Sequence, residues 1–234
     1  GLAIPESLAA ISVISSNSLR SFFDFCNLSK ILSAETLLLY TLLENPDMLP
    51  SSSSRILEIG GGMTGLCGIG LAMSNLKNCS SITITDGHPD CVKNQQVCRA
   101  MQAQKNKQCC NIETQQLRWS KGDEHGDLAK VTNNGTQKFD MILAADCLFF
   151  KEFHDDLVWT IANAITPSGV IYMLQPGRGG SMDLFLSKAH EYFNIEKREH
   201  YNSQVSSLRK NYDEEGTGYD ADIHFPVLIE MRLR

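Results

Sequence analysis

The chain has 234 residues, of which 42% are hydrophobic and 21% are charged, and this composition is typical of one folded domain. It excludes wholesale disorder, a collagen-like fibre and a coiled-coil rod. The 21 Lys and Arg residues stand against 27 Asp and Glu residues, which gives a net charge of −6. Because nucleic-acid affinity depends on contacts between basic side chains and phosphates, we expect neither DNA nor RNA as a partner.

The eight cysteines contain no CxxC pair and no zinc-finger spacing. We therefore expect reduced thiols and no metal site. No stretch approaches the ~20 apolar residues of a membrane span, so we expect no membrane insertion. Residues 8–14 are apolar but short, and no basic stretch precedes them, so we do not interpret them as a targeting signal. We divide the chain into an N-terminal extension, residues 1–29, with a short predicted strand around Ile11, and a domain, residues 30–234.

From Ser33 onwards, predicted helices alternate with predicted strands. Ser33 is a suitable N-cap for a first helix that runs to Leu43. The predicted strands cover residues 55–59, 81–85, 112–117, 139–145, 170–175, 195–201 and 227–233. The helices between them cover residues 66–76, 89–102, 153–165 and 181–191. We interpret residues 121–137 as a surface excursion, residues 166–169 as a turn and the acidic residues 213–222 as a loop. This alternation predicts an α/β fold with a mostly parallel seven-stranded sheet and helices on both faces.

A glycine motif joins the first predicted strand to the next helix. Gly60, Gly62 and Gly65 form GxGxxG, which lets backbone N–H groups approach a ligand at the N-terminus of a helix. The second strand ends at Asp86, where a carboxylate can accept hydrogen bonds from both ribose hydroxyls of an adenosine. These features predict an adenosine-bearing cofactor, either a dinucleotide or S-adenosylmethionine.

Two acidic residues help to choose between these cofactors. Glu58 lies two residues before the glycine loop, where it suits the cationic amine of a methionine group and repels a pyrophosphate. Asp146 follows the fourth strand, at the carboxyl edge of the sheet where open α/β folds hold their active sites. The short stretch after the seventh predicted strand leaves no room for the substrate domain of a dehydrogenase. We therefore favour S-adenosylmethionine over a nicotinamide cofactor.

Five segments carry a family resemblance: ILEIGGGMTGLCG, ITDGH, QLRWS, ILAADCLFF and IHFPVLIE. They resemble the seven-β-strand, S-adenosylmethionine-dependent protein-lysine methyltransferases, and within these the calmodulin-lysine N-methyltransferases. The chain departs from the wider group twice. Phe149 stands where that group carries the Tyr of a DxxY motif, and the segment ILSAE lacks the Trp-Pro that precedes the family's first helix, although Glu35 remains.

The resemblance implies a Rossmann-like class I methyltransferase fold, with S-adenosylmethionine as cofactor and S-adenosylhomocysteine as product. It assigns Asp146 as the catalytic residue. The cofactor-binding residues that it implies are Glu58, Gly60, Gly61, Gly62, Asp86, Gly87, Trp119 and Ala145. The residues expected to contact the substrate are Phe149, Phe150 and Arg178.

Structural interpretations of the same residues stay open. Asp86 and Asp146 suit helix caps, and Trp119 and the two phenylalanines suit a core. Arg178 suits a solvated loop. We expect His88 and His154 to be solvated residues at helix starts.

The function implied by the resemblance is methylation of a lysine of calmodulin, up to trimethyl-lysine, by a monomeric enzyme of the cytoplasm and nucleus. Calmodulin is acidic, as is this chain, so docking requires a basic cluster. The candidates are Lys197, Arg198, Arg209 and Lys210, together with Arg178. The alternatives are a methyltransferase for another protein lysine or a small metabolite, and a non-catalytic S-adenosylmethionine-binding interaction module.

Overall fold

The computed structural model describes residues 33–74, 78–105, 110–123, 125–203, 205–207, 210 and 220–234. The predicted strand around Ile11 lies outside these residues. The described residues contain seven strands: β1 (Ser54–Ile59), β2 (Cys79–Asp86), β3 (Asn111–Gln116), β4 (Phe139–Ala145), β5 (Ile165–Gln175), β6 (Phe193–Arg198) and β7 (Val227–Leu233). The helices are α1 (Ala34–Glu44), α2 (Leu66–Met73), α3 (Pro89–Lys105), α4 (Asp127–Val131), α5 (His154–Ala164), α6 (Ser181–Ala189) and α7 (Ala221–His224), with 3₁₀ turns at Pro46–Met48 and Lys151–Phe153.

The strands form one sheet in the order β3-β2-β1-β4-β5-β7-β6. Strands β1, β2 and β3 pair in parallel, as do β4 and β5, whereas β7 runs antiparallel to both β5 and β6. The predicted mostly parallel, seven-stranded sheet is therefore confirmed. The chain divides into two compact units, residues 1–118 and residues 119–234.

In the first unit, helix α1 begins as its sequence predicts. The Ser33 Oγ accepts a hydrogen bond from the Thr36 N–H at 3.2 Å, which satisfies one of the donors that a helix start leaves open. At the other end, the Asn45 side-chain amide donates to the Thr41 carbonyl at 2.7 Å. The run of leucines between these caps is buried, and Leu39 packs against Gly70 of α2. Helix α1 is thereby fixed beside the start of α2.

The three strands of the first unit share one apolar layer. Ile56 of β1 pairs with Ile82 of β2, which in turn pairs with Ile112 of β3, and all three side chains are buried. Since parallel strands point the same way, β1 and β2 deliver their C-terminal residues to one edge. That edge carries the glycine loop and Asp86.

In the second unit, β5 contains the segment that the sequence predicts as a turn. Phe139 of β4 pairs with Ile165 of β5, but Met141 pairs with Val170, so residues 166–169 bulge out of the ladder. The predicted turn is wrong as a break between elements, because β5 continues through it.

The excursion predicted at residues 121–137 is also wrong in part. It contains the short helix α4, in which Leu128 and Val131 are buried. Among the described residues, no helix is long and apolar enough to cross a membrane. The cysteines described include Cys79 and Cys110, whose Sγ atoms lie 3.3 Å apart.

Candidate functional site

The glycine loop after β1 is fastened to the end of β2. The Gly61 N–H donates to the Thr85 carbonyl at 2.9 Å, and the Gly62 N–H donates to Asp86 Oδ2 at 3.0 Å. From α3, the Gln95 amide donates to the Gly62 carbonyl at 2.7 Å. Strand pairing and side-chain contacts therefore fix the loop in one conformation.

Asp86 organises the edge of the first unit. Its Oδ1 accepts from the His88 N–H at 2.8 Å, which closes a turn before α3, whereas the side chain that accepts from the first turn of α3 is that of His88. The residue is only half-buried, and a carboxylate offers about four acceptor positions. The N–H groups of Gly62 and His88 and the Cys91 thiol use part of this capacity, and acceptor capacity remains at the end of β2 for a ribose hydroxyl.

Two glycines of this loop differ in what surrounds them. Gly62 and Gly65 both have positive φ angles, +57° and +61°. A Cβ at Gly62 meets nothing within 4 Å, whereas a Cβ at Gly65 lies 2.5 Å from Ile84 Cγ2. Gly62 therefore faces open space, and Gly65 is packed against β2.

We expect Gly65→Ala to lower the free energy of unfolding by about 2–4 kcal/mol, because left-handed strain and overpacking add. Gly62→Ala is the matched control and is expected to cost only about 1–2 kcal/mol, since it adds strain alone. Urea unfolding of both variants measures the difference. Equal losses contradict the packing seen at Gly65.

A pair of glutamates lies at the N-terminus of α2. Glu58 Oε2 accepts from the Gly68 N–H at 2.8 Å, and Glu35 Oε1 accepts from the Leu66 N–H at 2.5 Å. The two carboxyl groups also hydrogen-bond each other. A Cβ at residue 68 would lie 2.7 Å from Glu58 Oε2, so only glycine leaves room for this carboxyl.

Burial dominates the electrostatics of the two glutamates. Desolvation raises the pKa of Glu35 to about 7, against the smaller lowering effects of its hydrogen bonds from backbone N–H groups. The Glu35 residue is partly exposed, but its carboxyl group is turned inward to α2. Desolvation, followed by the charge of Glu35, also raises the pKa of Glu58 well above its usual range. The pair thus retains a proton where an ordinary glutamate is ionised.

This proton makes stability depend on pH. Between about pH 4.5 and 7 the unfolded chain loses a proton that the folded chain keeps, so the free energy of unfolding falls as the pH rises. We expect Glu35→Gln to flatten this fall, because an amide does not titrate. Urea unfolding at pH 5, 6, 7 and 8 compares the two proteins. Parallel curves over that range contradict the shared proton.

In the second unit, Asp146 follows β4 with a φ of 49°, in the left-handed region that few residues other than glycine adopt. Its N–H donates to the Leu174 carbonyl at 3.1 Å. The next N–H, of Cys147, donates to the buried Gln175 Oε1 at 2.9 Å. These bonds to β5 hold the half-buried carboxylate of Asp146 in place.

Three phenylalanines lie exposed after Asp146. Phe149, Phe150 and Phe153 are 52%, 48% and 44% exposed. The ring centroids of Phe149 and Phe150 lie 4.3 Å apart, and those of Phe150 and Phe153 lie 6.0 Å apart with their planes nearly perpendicular. The core interpretation of Phe149 and Phe150 is therefore wrong, and their rings lie at the surface.

His154 supports the loop that carries these rings. Its Nε2 lies 3.0 Å from the Leu148 carbonyl, to which the Ser181 hydroxyl also donates. The residue is 1% exposed, so the prediction of a solvated helix-start histidine is wrong for His154. The prediction is correct for His88, which is exposed. The ring of His154 is buried against α6, where it packs edge-on against Phe185.

Comparison with known proteins decides the family. A family model described as lysine methyltransferase matches residues 30–192. The chain belongs to the lysine methyltransferase family. The calmodulin-lysine N-methyltransferase of Arabidopsis thaliana is 28% identical over 207 residues, which are 85% of this chain and 62% of that protein. The chain thus spans less than two thirds of the length of this relative.

Solved structures place the fold among the methyltransferases. A methyltransferase from Pyrococcus furiosus matches with a TM-score of 0.53 at 14% identity, covering 85% of this chain and 82% of that one. An S-adenosylmethionine-dependent methyltransferase from Mesorhizobium loti matches with a TM-score of 0.51 at 16% identity, covering 86% and 98%. A third structure, a complex with S-adenosylhomocysteine, matches at 0.53 and 11% identity, covering 86% and 50%. The predicted Rossmann-like methyltransferase fold is confirmed.

The cofactor-binding residues predicted in the first unit gather in one place. Gly60, Gly61, Gly62, Asp86 and Gly87 surround the joined ends of β1 and β2. The open space at Gly62 and the remaining acceptor capacity of Asp86 fit an adenosine-bearing group. Their contacts with a cofactor stay predictions.

The other predicted cofactor residues differ in their surroundings. Glu58 is 3% exposed, and its carboxyl binds α2, so its observed contacts are structural. Trp119 is half-buried and does not belong to the core. Ala145 is partly exposed at the end of β4, directly before Asp146. Roles for these residues toward a cofactor also stay predictions.

The predicted basic cluster is compensated by acids. Lys197 lies 3.4 Å from Asp183, and Arg198 pairs with Glu196 and Glu230. Arg178 is not a solvated arginine, because it forms an ion pair with Asp146. Arg209 lies outside the described residues.

Sequence reasoning missed the residues that support the site from other elements. Gln95, Gln175 and Ser181 are buried polar residues that anchor the glycine loop and the Asp146 loop. Each acts on a partner 27 or more residues away. An uncharged residue in a predicted strand or helix gives no signal of such a partner.

Proposed function

We propose that this protein transfers methyl groups from S-adenosylmethionine to a lysine side chain of calmodulin. The chain belongs to the lysine methyltransferase family. The observation that carries the proposal is the geometry of its Asp146 loop, in which a fixed carboxylate is followed by exposed aromatic rings. A carboxylate accepts hydrogen bonds from an amine, and aromatic faces attract an ammonium group. This combination fits an alkylamine acceptor better than a hydroxyl or a carboxylate.

The cofactor supplies a methyl group on a positively charged sulfur, which makes that carbon electrophilic. Asp86 would hold the ribose, and the backbone around Gly60 and Gly62 would lie against the amino-acid part. The transferred methyl forms a carbon–nitrogen bond as its bond to sulfur breaks, and the nitrogen then releases a proton to water. The protein's share is to orient the two reactants and to exclude competing water.

The lysine must lose its proton before it reacts. With a reference pKa of ~10.4, deprotonation at pH 7 costs about 5 kcal/mol. Phe149 and Phe150 offset part of this cost, since an apolar surrounding favours the neutral amine. The same rings attract a methylated ammonium by about 0.5–2 kcal/mol, which supports successive rounds up to trimethyl-lysine.

Calmodulin is proposed as the substrate because the Arabidopsis thaliana relative carries that activity in its name. The compensated charges at Lys197 and Arg198 give little net attraction for an acidic partner. The exposed triad of Phe149, Phe150 and Phe153 instead provides an apolar contact beside Asp146. Recognition is therefore proposed to rest on apolar contact more than on charge, and to depend weakly on salt.

The test is a methyl-transfer assay with labelled S-adenosylmethionine, followed by intact mass measurement. Unmodified calmodulin is compared with calmodulin whose lysines are acetylated and with a panel of other lysine-rich proteins. Successive methyl additions to unmodified calmodulin alone support the proposal. Transfer only to other proteins overturns the substrate but keeps the chemistry. No transfer, with cofactor binding intact, overturns the activity and favours a non-catalytic binding module.

A further inference from the structure

Asp146 and Arg178 form a pair of unusual backbone geometry. Asp146 has a φ of 49° and Arg178 a φ of 48°, so both adopt the left-handed conformation without being glycine. Such conformations cost free energy and persist where the surrounding structure demands them, often at functional sites. The two residues come from loops that follow neighbouring parallel strands, β4 and β5. Their side chains meet in an ion pair.

The contact between them uses both carboxylate oxygens. Arg178 Nε donates to Asp146 Oδ1 at 2.7 Å, and Arg178 Nη2 donates to Oδ2. This is the two-pronged geometry that a guanidinium provides and an ammonium does not. Each side chain remains 34% exposed, so the carboxylate keeps acceptor positions open to a ligand.

The Arg178 loop is anchored independently of Asp146. The Arg178 N–H donates to the Asp222 carbonyl at 2.8 Å, and the Gly179 N–H donates to Asp222 Oδ2 at 2.5 Å. From the other side, Lys151 Nζ donates to the Gly179 carbonyl at 3.1 Å. Hydrogen bonds to α7 and to the 3₁₀ turn therefore hold the backbone of the Arg178 loop beside Asp146. The position of the guanidinium does not depend on the ion pair alone.

A bare carboxylate at this place opposes the chemistry. A negative charge beside a lysine raises the lysine pKa and holds the amine protonated, which is the unreactive form. A carboxylate whose charge is balanced can accept a hydrogen bond from the amine with much less stabilisation of the ammonium. The carboxylate of Asp146 is balanced in this way by the guanidinium of Arg178.

We propose that Arg178 is a positioning residue that balances the charge of Asp146, so that Asp146 orients the acceptor amine without holding it protonated. This inference rests on the proposed lysine methylation and deepens it. It also changes the role that the sequence suggested for Arg178, since both prongs of its guanidinium are directed at Asp146.

Other charged or titratable side chains lie near the Asp146–Arg178 pair, and they belong to the elements that pack against the two loops. Asp222 of α7 faces the backbone of the Arg178 loop, and Lys151 of the 3₁₀ turn binds the same loop. His154 binds the Leu148 carbonyl behind the Asp146 loop. Lys151 and Asp222 cancel in charge. Loss of the Arg178 charge therefore leaves one net negative charge facing the amine.

The test is the pH dependence of single-turnover methylation at saturating enzyme and cofactor, in low-salt buffer. Because neutral amine is the reactive form, the rate rises with pH to a plateau. We expect Arg178→Gln to shift the midpoint of this rise upward by about one pH unit, roughly a tenfold lower rate at neutral pH. Arg178→Lys keeps the charge and is expected to keep the midpoint while lowering the plateau.

Two further variants separate charge from structure. The double variant Asp146→Asn with Arg178→Gln carries no charge at the pair, so its midpoint is expected to return to the wild-type value although its rate stays low. Asp222→Asn removes a nearby negative charge, and a smaller shift in the opposite direction is expected. If Arg178→Gln does not fold, Asp222→Asn provides the test of the charge effect. This variant is expected to fold, because the asparagine side-chain oxygen still accepts a hydrogen bond from the Gly179 N–H.

Unchanged midpoints in all these variants, with uniform loss of rate, overturn the inference and leave Arg178 a structural role. That result leaves the proposed lysine methylation standing. A full rate in Asp146→Asn alone instead overturns the proposed part of Asp146 in catalysis. Cofactor affinity, measured by calorimetry, is the common control and is expected to stay within twofold of wild type.

Discussion

Asp146→Asn is expected to lower the rate of methyl transfer by roughly 10²-fold or more, as is typical when a group that manages a proton or orients a nucleophile is lost. The substitution preserves the shape of the side chain and part of its hydrogen bonding to Arg178. It removes the charge that balances the guanidinium, so a cation is left facing the lysine. Turnover with labelled cofactor, together with cofactor affinity by calorimetry, measures the effect, and affinity is expected to change little.

A matched control lies in the same unit. Asp183 forms an exposed ion pair with Lys197 at 3.4 Å, and exposed pairs contribute little to stability. Asp183→Asn is therefore expected to leave turnover unchanged. If Asp146→Asn retains turnover near that of Asp183→Asn, the catalytic assignment of Asp146 is wrong.

Asp86→Ala is expected to weaken S-adenosylmethionine binding by roughly 10²-fold, since hydrogen bonds to a charged group contribute about 1.5–3 kcal/mol each. The variant also frees the N–H groups of Gly62 and His88, which Asp86 binds at 3.0 and 2.8 Å. The loss of affinity therefore has two sources, direct contact with the ribose and order in the glycine loop. Calorimetry measures the dissociation constant.

Asp86→Asn separates these sources, because its amide oxygen still accepts one loop hydrogen bond while the charge is gone. We expect its affinity to fall between those of the wild type and Asp86→Ala. Glu113→Gln, an exposed change on β3, serves as the control for a lost surface charge. Wild-type affinity in Asp86→Ala contradicts the assignment of Asp86 to the ribose.

Much of the fold follows from local sequence signals. The strand at Val227–Leu233 and the helix start after Ser33 agree with the structure residue for residue, because a run of apolar residues and a capping serine mark them. The bulge at residues 166–169 does not follow in the same way. The sequence Thr-Pro-Ser-Gly specifies a local turn, but pairing with β4 on both sides of it keeps the strand continuous.

The sequence predicts the acidic residues of the site but not the side chains that bind them. Asp86 ends β2 and Asp146 directly follows β4, and both positions were predictable because a run of apolar residues marks each strand and its end. The partner of Asp146 was not, since Arg178 lies 32 residues away and its pairing depends on left-handed backbone at both residues. The glutamate pair shows the same limit. The sequence marks Glu35 only as the acid that remains in the segment ILSAE, and its contact with Glu58 arises only when α1 packs beside α2.

The contact of the Glu58 carboxyl with Gly68 makes the side chains allowed at these two positions, ten residues apart, depend on each other. A side chain at position 68 must displace the carboxyl of Glu58, and a shorter side chain at position 58 leaves the Gly68 N–H without its acceptor. We therefore expect a substitution at either position to need a compensating change at the other, and Glu35 is involved because it hydrogen-bonds Glu58. The three residues form one packed unit, although they belong to three separate elements of the fold.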